Sequence, residues 1–207
     1  MPVAKVNTAR ELFQAAGLGS FPTWHLRLLG EDACHAVELD VEERDRRAAC
    51  SLGAITDPSD LRILCSLPWR ESVPLADLRI RHRQRLATMP AGVVQIQGDL
   101  VIRLARPATA LRGALVSDTA WSRGLDRASV FAPFCPRVLL LTERPTDLDD
   151  AMAEATFYGI GLAVSAAGGG YEFLVLPDPA AARFGPVSWR LREEAFAAIT
   201  AMPDRVP

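Results

Sequence analysis

A chain of 207 residues with 49% hydrophobic and 23% charged content has material for one sizeable core or two small ones, which excludes an intrinsically disordered protein. The formal net charge of −2 hides an uneven distribution: residues 1–61 carry 6 basic and 10 acidic side chains, residues 62–112 carry 9 and 3, and residues 113–207 carry 8 and 12. A basic middle between acidic flanks is the footprint of an anionic partner. All the basic residues except Lys5 are arginine. With the Ala, Pro and Gly content, that bias points to a GC-rich, bacterial coding sequence and makes position more telling than the arginine count. No apolar run approaches about 18 residues, and "MPVAKVNTARELF" lacks the features of a secretory signal. The expectation is a cytoplasmic protein with no membrane partner.

In chain order, "NTARELFQAAGLG" predicts a helix capped by Asn7 or Thr8 and stopped at Gly17 or Gly19. "TWHLRLLGEDACHAVELDVEERDRRAACSLG" follows as two apolar, helix-compatible parts. In the second, Glu42–Arg46 and Glu43–Arg47 are i,i+4 pairs expected on a solvated face. Cys34, Cys50, Cys65 and Cys135 are widely spaced with no CxxC pair. Cys34-His35 taken with Cys50 and His25 matches no zinc spacing, so the thiols are expected to be packed and no metal is assigned.

The middle is better punctuated. "DPSDLRILCSLPW" predicts a helix with Asp57 as N-cap and Pro58 at the first helical position. "ESVPLADLRI" predicts a short second helix, and "RIRHRQRLATMP" a third, closed by Pro90 and Gly92. The period then changes in "GVVQIQGDLVIRLARP", where two β-rich runs flank Gly98-Asp99 as a hairpin. Three short helices followed by a hairpin over residues 57–107 resemble a winged helix-turn-helix domain. The resemblance implies binding to double-stranded DNA, with "RIRHRQRLAT" at the recognition-helix position and "IQGDL" at the wing tip. The nucleic-acid-binding residues it selects are Arg79, Arg81, His82, Arg83 and Arg85, with Arg103 and Arg106 touching backbone near the wing.

On a helix, Arg79–Arg83 and Arg81–Arg85 form two i,i+4 rows, with Ile80 and Ala87 expected inward and Leu86 nearby. Only Asp77 stands close enough in sequence to compensate. Guanidinium forks in such rows suit phosphates and guanine edges. The competing reading pairs them with the chain's own acidic flanks.

The last third reads as α/β. "RVLLLTE" is a buried strand, "TDLDDAMAEATFYG" a helix with Thr146 as N-cap, "IGLAVSAAGGGYEFLVLP" two strands about a Gly-rich turn, and "PVSWRLREEAFAAITAMP" a closing helix. The first strands of this β-α-β run are expected parallel. This order resembles the second half of the restriction-endonuclease-like fold, in which paired acids and a lysine bind a divalent metal. Asp126 matches the upstream acid and Glu143 the second, but Pro145 occupies the place of the lysine, which implies a non-catalytic member. There is no GxSxG elbow or P-loop, the Gly-x-Gly of "YGIGLA" follows a helix instead of preceding one, and the only histidines are His25, His35 and His82. No catalytic residue and no cofactor are assigned.

The expectation is an α+β protein with an N-terminal helical segment (1–56), a winged-helix middle (57–107) and an α/β domain (108–207). Its function would be that of a transcriptional regulator or other non-catalytic DNA-associated factor, working as a homodimer, with the C-terminal domain serving dimerisation or a protein partner. Two alternatives stand beside it: a nuclease-like enzyme with a migrated metal site at Asp126 and Glu143, and an adaptor docking an acidic protein.

Overall fold

The computed structural model describes residues 3–166, 170–179 and 183–202, with side chains from residue 9 onward. In chain order the elements are α1 (Val3–Ala15), β1 (Thr23–Leu28), β2 (Glu31–Leu39), α2 (Val41–Ala49), α3 (Pro58–Ser66), β3 (Ser72–Pro74), a 3-10 turn (Leu75–Asp77), α4 (Ile80–Leu86), β4 (Val94–Gln97), β5 (Leu100–Arg103), β6 (Thr109–Asp118), α5 (Trp121–Ser129), β7 (Arg137–Leu141), α6 (Leu148–Phe157), β8 (Ile160–Ser165), β9 (Tyr171–Val175) and α7 (Pro186–Thr200). The architecture is α+β. It divides into two compact units, Met1–Glu38 with Leu111–Arg183 and Leu39–Ala110 with Phe184–Pro207, so neither is one continuous stretch of sequence.

The first unit is organised on a six-stranded sheet in the order β1-β2-β6-β7-β8-β9. β1 and β2 pair antiparallel where the sequence predicts helix. Trp24, Leu26 and Leu28 are buried while the residues between them are not, a period of two that belongs to a strand. The turn between them, Leu29-Gly30, has both residues at positive φ, 56° and 84°. That is the type I′ geometry that matches strand twist. β6, β7 and β8 run parallel through α5 and α6, as expected for the β-α-β run, and β9 returns antiparallel. α1 begins at Val3, ahead of the expected caps Asn7 and Thr8, and stops before Gly17 at φ 74°. Its Leu12 and Phe13 pack against Cys34, Ala36, Leu115 and Val138. Asp147, not Thr146, takes the cap position of α6. Residues 167–169 of the Gly-rich turn lie outside the described residues.

His35 on β2 is fully buried, packs edge-on against Phe131 at 5.0 Å, and neither ring nitrogen has a hydrogen-bond partner among the described residues. Burial, with His25 nearby, lowers its pKa to about 4. Between that value and the ordinary 6.5, the unfolded chain holds a proton that the folded chain refuses. Stability is therefore full above pH 6.5 and declines as pH falls towards 4, by about 3 kcal/mol over the window. Urea titrations at pH 7, 6, 5 and 4.5 should show this slope for the wild type and a flatter one for His35→Leu; equal slopes would show that His35 does not cause it.

The second unit holds α2, α3, α4, α7 and a three-stranded antiparallel sheet in the order β3-β5-β4. Leu61 and Leu64 of α3 pack with Leu52, Ile55, Val93, Ala105 and Trp189. On the other side, Ile63 and Leu67 meet Leu86 and Val101. Where the sequence predicts a second helix, Ser72–Pro74 is a strand followed by one 3-10 turn. Proline disfavours helical backbone at the residue before it, so Val73 extends and pairs with Val101. The β4–β5 hairpin turns at Gly98-Asp99 as expected, with Gly98 at φ 57°.

The charged run of α2 is solvated only in part: Glu42 and Asp45 are exposed, but Arg46 pairs with Glu43 instead of Glu42, and Glu43 and Arg47 turn inward. Glu43 is buried and Arg47 is 0% exposed. Arg47 donates through Nε to Glu43 (2.8 Å), through both Nη atoms to Glu193 of α7 (2.6 and 2.8 Å), and to the carbonyls of Gly53 (3.4 Å) and Arg106 (2.6 Å). All five guanidinium N–H groups are thus placed. Glu193 also accepts from the Ile55 amide and Trp189 Nε1, each at 2.8 Å. Burial pulls the Arg47 pKa down, and Glu193 and Glu43 more than offset it, so the charge is held.

Candidate nucleic-acid interface

α3 is set by its cap: the Asp57 carboxylate accepts from the amides of Ser59 (2.7 Å) and Asp60 (3.2 Å), and Pro58 occupies the first turn. α4 has no side-chain cap and is oriented by its packing. Leu86, 2% exposed, anchors it, with His82 one turn before and Met89 three residues after, both half-buried. This stripe differs from the expected one. Ile80 is 66% exposed and Ala87 is exposed, because both lie on the opposite side of the helix from Leu86 and His82.

Rotating α4 this way sorts the arginines. Arg79, Arg81 and Arg83 are exposed and have no acidic partner among the described residues; Asp77, the nearest acid in sequence, pairs with none of them. Arg85 is bound to α3, with Nη2 at 2.9 Å from Asp57 and 3.0 Å from Asp60 and Nε also on Asp60. The Asp60 hydrogen bond and charge raise its pKa. Arg81, His82 and Arg85 border a recess of about 340 Å³ together with Arg62, Ser59 and Asp57. Arg62 is exposed and also lacks an acidic partner among the described residues. Sequence reasoning passed over it because it is the lone basic residue of α3.

Arg103 and Arg106 are occupied by the second unit itself. Arg103 donates to the Leu64 carbonyl at 2.9 Å and stacks over Trp189 at 5.3 Å, and burial lowers its pKa. Arg106 bridges Asp40 (2.8 Å) and Glu42 (2.7 Å) and lies over Trp69 at 4.7 Å. The exposed hairpin tip, residues 95–100, carries Asp99 and no basic side chain. The basic surface is therefore carried by α4 and α3, and the hairpin adds none.

In the first unit, Asp126 is exposed on α5 and Glu143 is exposed just beyond β7. No group of three or more His, Cys, Asp or Glu side chains with metal-holding geometry occurs among the described residues. The buried acid here is Asp118, at the end of β6, which sequence reasoning missed. It accepts from the Thr119 and Ala120 amides and is held by Arg123 and Arg127, with Arg127 reaching Glu31 at 2.8 Å. Arg123 foremost holds its carboxyl well below the usual range. This carboxylate is fully engaged by amides and guanidinium groups of the chain itself, in the turn that leads into α5. Burial pushes the Cys34 and Cys135 thiols up to about 12, as packed thiols require.

No protein-family model, curated protein or solved structure matches the chain. No helix among the described residues is long and apolar enough to cross a membrane.

Proposed function

We propose that the second unit is a winged helix-turn-helix module and that it binds double-stranded DNA through α4, as a regulator or other non-catalytic DNA-associated factor. The observation that carries this is the set of three exposed guanidinium groups, Arg79, Arg81 and Arg83, without acidic partners among the described residues, on a chain whose other arginines are widely engaged. Unneutralised guanidinium groups on one helix and its N-cap are suited to phosphate oxygens. The order helix, strand, helical turn, helix and hairpin supports the module reading, since β3 pairs with β5 and ties the hairpin to the helices. Arg103 and Arg106 enter this proposal as scaffold, and Arg85 as a residue held in reserve by Asp57 and Asp60. An anisotropy titration of a random-sequence 20-bp duplex at low salt tests it: salt-sensitive binding is expected, and no binding at any concentration short of aggregation ends the proposal.

The Arg85 clamp adds a second test. Asp60→Asn removes one negative charge beside the interface and loosens Arg85, while the Asp57 cap keeps α3 in place. Duplex affinity should rise roughly two- to fivefold, on the scale of one phosphate contact at moderate salt. Unchanged or weaker binding by a variant with wild-type thermal unfolding would show that Arg85 plays no part.

A further inference from the structure

We infer that α4 reads base sequence, and that its target contains an A·T step read in the major groove by Ile80 and Gln84. This rests on the DNA-binding reading above and extends it from backbone contact to specificity. Leu86 and His82 fix the inward side of α4. The outward side, about 100–160° round the helix from Leu86, is a ridge of Ile80, Gln84 and Ala87, all exposed. Arg83 lines one flank of the ridge and Arg81 the other, with Arg79 at the N-cap and Arg85 turned away to Asp57 and Asp60. The helix thus presents an uncharged centre between cationic flanks.

That arrangement matches the cross-section of a B-form major groove, with base edges in the middle and a phosphate backbone on either side. The centre residues have the chemistry of one base pair type. A glutamine amide accepts from adenine N6–H and donates to adenine N7, and an aliphatic side chain packs on the C5 methyl of thymine. Ala87 is small enough to let the ridge approach. A-form RNA has a major groove too narrow to admit the helix, and single-stranded binding draws on aromatic platforms that α4 lacks. The occupant is duplex DNA.

The test begins with selection from a random duplex library by the full chain. The enriched motif should contain an A·T step. Replacing its thymine by uracil removes only the methyl group, and replacing its adenine by 7-deazaadenine removes only the N7 acceptor. Wild type should bind the uracil duplex about threefold and the 7-deaza duplex about tenfold more weakly. Ile80→Ala should lose the first sensitivity and Gln84→Ala the second. A motif without an A·T pair, or variants that keep both sensitivities, overturns the inference. Salt-sensitive binding with no enriched motif overturns base reading and leaves DNA binding standing, whereas absence of all duplex binding overturns both.

Discussion

Arg47→Met should destabilise the second unit by about 3–5 kcal/mol, the range for removing one partner of a buried ion pair. Methionine fills much of the same volume, so the loss is electrostatic more than steric. Glu193 and Glu43, both buried, would face each other without the guanidinium that separates them, and the Arg106 carbonyl would lose its donor. A loss of this size is a large fraction of an ordinary domain's stability. Urea unfolding monitored by tryptophan fluorescence, with Trp24 and Trp121 replaced by Phe in both proteins so that only Trp69 and Trp189 of the second unit report, should show a lower midpoint. Glu193→Gln is the informative companion, because an amide still accepts from Ile55 or Trp189 and leaves one neutral group in place of a charge. It should cost less than Arg47→Met. An Arg47→Met midpoint within error of wild type would show that the network contributes nothing.

Replacing Arg79, Arg81 and Arg83 together by Ala should weaken duplex binding by roughly two to three orders of magnitude at low salt. The slope of log affinity against log salt should become shallower by about 2–3, because each lost phosphate contact removes about 0.9 of counterion release. The side chains are exposed and unpaired among the described residues, so the thermal unfolding curve should not move. Alanine also relieves the repulsion within the Arg79–Arg83 row. Arg144→Ala is the control matched in charge to Arg81→Ala alone: its guanidinium is exposed in the first unit and paired with Glu172 at 3.0 Å, and its loss should leave both slope and affinity unchanged. Equal losses in Arg144→Ala and Arg81→Ala would mean that net charge, not α4, sets the affinity.

How much of this was legible in the sequence depends on how far each signal reaches. The α3 cap at Asp57-Pro58, the Gly98-Asp99 hairpin, the β7 strand and the α7 helix are local signals, and each element stands where it was expected. The β1–β2 hairpin was hidden because its turn uses Leu29 at positive φ, a conformation that Asn or Gly ordinarily announces. Ser72–Pro74 reads as helix in the sequence because proline suits a first turn, whereas in the fold Pro74 ends a strand. The arginine stretch forms the helix that its composition predicts, yet its rotation is set by Leu86 and not by Ile80. Which arginines are free depends on partners far away in sequence: Arg85 meets Asp60 across 25 residues, and Arg47 meets Glu193 across 146. No window of sequence contains such pairs.

That last separation bears on how the protein is made. While the chain is being synthesised, Arg47, α3 and α4 emerge long before Trp189 and Glu193 exist to complete the core around them. Leu86 and its neighbours Ile63, Leu67 and Val101 are already present by then, so α4 has its anchor before α7 arrives. What waits for α7 is the buried ion pair: until Glu193 emerges, only Glu43 of the two acidic partners of Arg47 is present. The surface of α4 is thus shaped early in synthesis, and the charged core beneath α2 late.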